Sequence, residues 1–390
     1  MAEKKIAFGI ITRELKTLSP LTDFLDNALK YGHYIDKLII GYQIYVDPGI
    51  IKHLEKYCEV ILIQRGNCPF LINSLKKLGL SNEETEILLA TPFLEKYGMV
   101  AYGTSRNYNL LTAIFSDIRY LYFFDTDIFP KILNRNEKNE YFFEDIDFVG
   151  SHLKYLKQSE DVVVTTSDYT GYYIIPRMDF PDLEKLLVGV QKENSYEYIK
   201  TVDSPVVQEQ YLKNIRPTNK ILGGNLAIDL NKIEMLPPFF STTLVIDDEC
   251  IKGRGEDTLF GPLINKSNGL CLDIDLLIFH NCFGDFPHKP KITIQKNIDR
   301  FYYACMGWII RNPFYNWLHS EYIRDLEKVE TKQRLEALKI GSKAAAEYFM
   351  DKRFLKLPRA FEMAYTKLDQ DIEYFNRLME TWDKMKRLLK

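Results

Sequence analysis

Long hydrophobic runs are missing from this chain of 390 residues: no stretch approaches the roughly 20 apolar residues of a membrane span. The start, MAEKKIAFGIITREL, is too short in its apolar part and too soon charged again for a secretory leader, so a cytoplasmic location is expected. The six cysteines, Cys58, Cys68, Cys250, Cys271, Cys282 and Cys305, include no C-x-x-C pair; neither a zinc knuckle nor a disulfide framework is indicated, and reduced thiols are expected. Charge of one sign is not in excess either. A formal net charge of -3 with dispersed Lys and Arg argues against a nucleic-acid-coating protein. Low-complexity segments and internal repeats do not occur. The rest, with 46% hydrophobic and 27% charged residues, fits a globular chain long enough for a catalytic domain and an accessory one.

In the middle of that ordinary composition stands RYLYFFDTDIFP, Arg119 to Pro130. Its apolar aromatic run, Tyr120 to Phe124, has the length of one buried strand and ends abruptly in Asp125, Thr126 and Asp127. In an extended chain the two outer side chains leave the same face, so both carboxylates can converge on one cation. Hard oxygen ligands suit magnesium or manganese, ions that keep positions open for substrate phosphates. A helix cap at Asp125 with a solvated Asp127 is the plain alternative.

Upstream, Lys5 to Thr12, Lys37 to Tyr42 and Glu59 to Gln64 read as strands, with helices at Leu21 to Gly32 and Pro48 to Tyr57 between them. Alternation of this kind predicts a parallel sheet covered on both faces, with ligands at the carboxyl ends of its strands. Thr12 and Arg13, Gln64 and Arg65, and the aspartates are thereby expected in one crevice. Pro69 to Tyr97 reads as a helical insertion, and Gly103 to Asp117 as a helix whose first turn, Ser105, Arg106 and Asn107, can face an anion. Downstream, strands are expected over Asp145 to His152, Val162 to Thr166 and Tyr169 to Pro176, with mostly helix from Pro181 to Asn214. Thr218 to Leu230 reads as a strand broken by Gly223 and Gly224, followed by Asn225, a donor and acceptor.

KGRGEDTLFGPLI, Lys252 to Ile264, places Glu256 and Asp257 on a glycine loop before a helix expected from Thr258; such a carboxylate is a cap or a general base. A strand over Cys271 to Phe279 ends in His280, a candidate third metal ligand, and Lys289 behind it could neutralise a diphosphate. From Ile298 on the chain is aromatic and then helical. Phe361, Tyr365, Leu368, Ile372, Phe375, Met379 and Trp382 form a heptad stripe that reads as a helix packed on its own domain or as a homodimer seam. The terminal cations Lys384, Lys386, Arg387 and Lys390 read as dipole partners of a helix end or as a peripheral membrane contact.

The order of these motifs, from Thr12-Arg13 through Arg106-Asn107, Asp125-Thr126-Asp127, Gly223-Gly224-Asn225 and Gly255-Glu256-Asp257 to His280, resembles glycosyltransferases of the GT-A fold over roughly residues 5 to 290. The resemblance implies a mixed α/β sheet flanked by helices in residues 1–295, with a mainly α-helical accessory region over 296–390. It also implies Mn2+ or Mg2+ at Asp125, Asp127 and His280, and a nucleoside-diphosphate sugar bordered by Thr12, Arg13, Arg106, Asn107, Asp125, Gly223, Gly224, Asn225 and Lys289. Asp257 resembles the base that deprotonates a hydroxyl acceptor in inverting members, with Glu256 contacting the acceptor. HNCFGDFPHKPK, His280 to Lys291, also resembles the ending of certain retaining members, which need no such base. A nucleotidyltransferase is disfavoured because Ile11 to Glu14 is no glycine-rich phosphate loop, and a non-catalytic scaffold because the carboxylates and His280 are intact.

Overall fold

The first strand, β1 (Ile6–Leu15), is apolar towards both faces because it lies inside a sheet covered on both sides. The computed structural model describes residues 5–64, 67–208, 214–319 and 327–390. In it, β1 pairs in parallel with β2 (Lys37–Val46) across helix α1 (Leu21–Lys30), and β2 with β3 (Glu59–Gln64) across α2 (Pro48–Leu54). Proline sits in the first turn of α2, and Asp47 accepts a hydrogen bond from Gly49 N at 2.7 Å. The expected helical insertion is three helices, α3 (Pro69–Leu78), α4 (Asn82–Leu89) and α5 (Thr91–Tyr97), with a Ser81–Glu84 capping box before α4. Helix α6 (Tyr102–Phe115) then lies on the sheet and leads to β4 (Tyr120–Phe123), four buried residues parallel to β1.

After the aspartates β5 (Ile128–Arg135) leaves the main sheet and pairs with the edge strand β6 (Tyr141–Asp145). The strand expected from Asp145 to His152 is instead helix α7 (Phe148–Leu156). Asp147 caps it, accepting from Gly150 N at 2.7 Å, and Phe148, Val149, His152, Leu153 and Leu156 recur on its buried side. β7 (Val162–Thr166) forms as expected, but the aromatic segment after it is strand only over β8 (Tyr169–Thr170); Gly171, at φ 109°, forms a single bridge with Val206 and the strand ends there. The described residues between Pro181 and Asn214 hold two short helices, α8 (Leu183–Gly189) and α9 (Tyr196–Thr201), rather than continuous helix.

β9 (Arg216–Pro217) is a short edge, and β10 (Leu226–Asp229) is the only regular strand in the glycine-containing segment. A hairpin of β11 (Thr243–Ile246) and β12 (Glu249–Lys252) stands apart, and α10 begins at Glu256 rather than Thr258 (Glu256–Lys266). The strand expected over Cys271 to Phe279 is divided: β13 (Leu270–Asp273) joins the main sheet, Asp275 at φ 51° breaks the run, and β14 (Ile278–His280) joins β5. The main sheet runs β3-β2-β1-β4-β10-β7-β13-β9, with β10 antiparallel to both its neighbours, and the second runs β6-β5-β14-β8. This is the mixed, helix-flanked α/β architecture expected.

The C-terminal region is helical: α11 (Gln295–His319), α12 (Glu327–Phe349), α13 (Leu357–Thr366) and α14 (Leu368–Leu388). The heptad stripe is split between α13 and α14 and packs inward. Phe375 and Trp382 share one core with Leu121, Phe123, Leu236 and Phe240, and Trp382 Nε1 donates to Leu236 O at 2.7 Å. Among the terminal cations, Lys384 pairs with Glu84 at 2.7 Å, Lys386 with Asp383 at 2.8 Å and Lys390 with Glu234 at 3.2 Å. No described helix is long and apolar enough to cross a membrane. Trp382→Ala should destabilise the chain by about 3–5 kcal/mol, because it empties a site with no exposure and orphans a carbonyl; an unfolding midpoint in urea equal to wild type would show that α14 is not part of the core.

Candidate active site

The parallel strands β1 and β4 run in the same direction, so Thr12, Arg13 and Asp125 to Asp127 emerge at one end of the sheet. Strand β14 returns to that end antiparallel to β5, with His280 opposite Ile128, and Asn281 N donates to Asp127 O at 2.8 Å. Residues far apart in sequence therefore share the floor of one cleft of about 890 Å³. Thr12, Arg13, Asp125, Asp127 and His280 line it with Tyr102, Lys252, Arg254, Lys296 and Arg300. Gln64 ends β3, and Arg65 lies outside the described residues.

Beneath the floor Arg106 is 3% exposed. Its Nε donates to Glu256 Oε1 at 2.7 Å, its Nη1 donates to Gly223 O at 3.1 Å, and its Nη2 lies 3.8 Å from Asp125 Oδ1. Loss of water at the cleft floor pushes Asp125 up to about 6; Arg106 opposes the shift and the neighbouring Asp127 adds to it. Burial would raise Asp127 as well. The hydrogen bond and charge of His280, 3.3 Å from Asp127 Oδ2, and the charge of Arg300 hold it below the usual carboxylate range.

Both glycines of the Gly223-Gly224 turn are required by close approach. A Cβ on Gly223 would lie 2.2 Å from Arg106 Nη2, and one on Gly224 would lie 2.8 Å from Asp125 Oδ2. Gly223 N donates to Asp257 Oδ2 at 2.8 Å, and Gly224 N donates to the Tyr169 hydroxyl at 3.0 Å. Asp257 is half-buried, and its Oδ1 accepts from Thr258 N at 2.7 Å. The turn thus links Asp125, Arg106 and Asp257.

Five of the expected site residues have side chains committed to partners within the protein, Arg106 beneath the floor among them. Glu256 was expected at the acceptor, but its carboxylate is 7% exposed and committed to Arg106. Asn107 was expected at the donor, but its amide exchanges two hydrogen bonds with Phe239, at 2.9 and 2.8 Å, and fixes α6 to the segment before the β11–β12 hairpin. Asn225 is fully buried. Its Nδ2 donates to Leu276 O at 2.8 Å and its Oδ1 meets His152 Nε2 at 3.0 Å, so it joins β10 to its surroundings rather than bordering a sugar. Lys289 points away from the cleft and pairs with Asp203. Lys252, Arg254 and Arg300 supply the cleft's positive wall instead. Arg254 was visible inside the GRGED loop, whereas Arg300 and Tyr102 lie on helices with no local signal.

Among the described residues no three His, Cys, Asp or Glu side chains converge as ligands. Asp127 and His280 form a two-ligand face, while Asp125 leans towards Arg106. The Asp127 carboxylate fits Mn2+ or Mg2+, ions that take their remaining positions from water and phosphate, and the imidazole favours Mn2+ of the two.

No family model matches the chain, and no curated protein matches it. Among solved structures, it is similar to a mycobacterial protein (12% identity over 80% of this chain and 75% of that one, TM-score 0.38). It is similar to glucosyl-3-phosphoglycerate synthase from Mycobacterium tuberculosis in complex with Mn2+, UDP and phosphoglyceric acid (11%, 78% and 79%, TM-score 0.35). A third likeness is to S. aureus TarS 1–349 (10%, 94% and 91%, TM-score 0.36).

Two outcomes follow from the site's supports. Gly223→Ala should cost about 1–3 kcal/mol in thermal unfolding, because the new methyl displaces Arg106; an unchanged midpoint would mean that the turn relaxes freely. His152, fully buried, is held down to about 4 by desolvation, with Asn225 partly opposing. Between about pH 4 and its ordinary 6.5 the unfolded chain binds the extra proton, so this contribution is complete above pH 6.5 and lost as the pH falls, by about 3 kcal/mol. His152→Gln should flatten the stability profile in that window; a slope equal to wild type would assign it to other groups.

Proposed function

We propose that the chain is a metal-dependent glycosyltransferase of GT-A type, acting in the cytoplasm, that moves a hexose from a nucleoside-diphosphate sugar to a hydroxyl acceptor. The observation that supports this most is the meeting of Asp127 with His280 beside Asp125 at the cleft floor, although β14 reaches that position from the far end of the domain. Residues 1–295 form the catalytic unit in this reading, and 296–390 complete the cleft wall through Lys296 and Arg300.

Asp127 and His280 would hold Mn2+ or Mg2+, which when bound supplies positive charge to the diphosphate leaving group. Thr12 and Arg13, at the end of β1, face the base and ribose. Arg300, Arg254 and Lys252 add fixed positive charge around the diphosphate, where negative charge grows as the glycosidic bond breaks. Arg106 holds Asp125 in place, and the Gly223-Gly224 turn packs closely against both side chains. Asp257 takes the proton of the incoming hydroxyl: its Oδ2 accepts one hydrogen bond, from Gly223 N, and keeps a lone pair for the acceptor. In this reading the anomeric carbon is inverted.

A thermal-shift panel of UDP, GDP, ADP, CMP and dTDP, each with and without Mn2+, should show one nucleotide raising the midpoint only with metal. Asp127→Ala should abolish that response; retention of it would remove the metal assignment. Asp257→Asn should keep the response and lose about 10²–10⁴ in turnover. Normal turnover, or a product of retained configuration, would remove Asp257 as the base.

A further inference from the structure

Near Asp257 two cations have lost water without gaining a counter-ion among the described residues. Arg311, on α11, is 8% exposed. Its Nη2 donates to Asn312 Oδ1 at 3.1 Å, and its Nε is buried with no hydrogen-bond partner. Its guanidinium is aimed at the start of α10: a Cβ on the N-cap Gly255 would lie 2.5 Å from Nη1. No side chain caps that helix end. Lys192, just beyond α8, reaches the same region, with its ammonium 5.1 Å from the ring centre of Trp308.

Among the described residues neither cation forms an ion pair. Desolvation lowers both, Lys192 to about 8, and the charge of Arg311 lowers Lys192 further. Nearby acids are engaged elsewhere: Glu193 pairs with Arg334 at 3.4 Å and Asp168 with Lys220 at 2.5 Å. Asp257 attracts Arg311 from beyond ion-pair distance while its own oxygens accept from Gly223 N and Thr258 N. A buried guanidinium at an uncapped helix start, with a half-buried ammonium over the same stretch of α11, makes a site for an oxyanion, because positive charge kept from water is stable only when something negative shares it.

We propose that Lys192 and Arg311, beside the start of α10, bind a phosphate or carboxylate carried by the acceptor, presenting the acceptor's hydroxyl to Asp257. The oxyanion site stands on this geometry; its assignment to an acceptor rests on the transferase reading. The acceptor class is then an anionic hydroxyl compound, such as a sugar or polyol phosphate or a hydroxy acid, and not a neutral glycan.

The test is titration of the full chain with inorganic phosphate, followed by thermal unfolding, in metal-free buffer and again with saturating UDP and Mg2+. Phosphate should raise the midpoint equally in both. Lys192→Met, which keeps the stem on Trp308, and Arg311→Lys, which keeps the charge but not the fork, should each weaken phosphate by about tenfold or more with the UDP response unchanged. Glycerol 3-phosphate and lactate as separate probes distinguish a phosphate from a carboxylate source, and glycerol should be silent. No response to any of these anions, a response undiminished in both variants, or a phosphate response abolished by UDP would overturn the site. If phosphate responds as expected and no nucleotide does, the oxyanion site stands and the transferase reading falls.

Discussion

Most of the site's geometry hangs from one buried ion pair, Arg106 with Glu256. Two opposite charges taken from water hold together only with close contact and further hydrogen bonds, and Arg106 has both, spending its remaining donors towards Gly223 and Asp125. Because α6 carries the arginine and α10 the glutamate, the pair fixes the helix before β4 against the helix that bears Asp257. The Gly223-Gly224 turn is threaded between them. Removing either partner would leave an unpaired buried charge beside the aspartates, so the same pair that sets the site's shape also bears on overall stability.

Much of this was legible in sequence, for reasons that differ by element. The first three strands and α6 were readable because a strand buried on both faces is continuously apolar, and the periodicity changes where helix begins. Asp125 and Asp127 were readable because charge ends an apolar run abruptly. Asp145 to His152 misled because its apolar residues are few enough to fit either period, and the decisive signal was the cap at Asp147. The division of the Cys271 to Phe279 run was hidden as well, since a change of sheet at Asp275 leaves no hydrophobic mark.

Side-chain roles were less legible than positions. Glu256, Asn107 and Asn225 all sit where the motif order places them, close to the site, yet all three turn inward and hold backbone or a charge in place. A polar residue type says what it can bond, not which way it faces. Lys289 shows the converse: the cleft has its cations, but they come from β12, the loop after it and α11.

Helix α11 runs unbroken from the cleft to the region near Asp257, carrying Arg300 at one place and Arg311 eleven residues later. At 1.5 Å per residue the two are about 16 Å apart along its axis. Both cations belong to one stiff rod, so their separation is set by helix geometry and does not change with the loops around them.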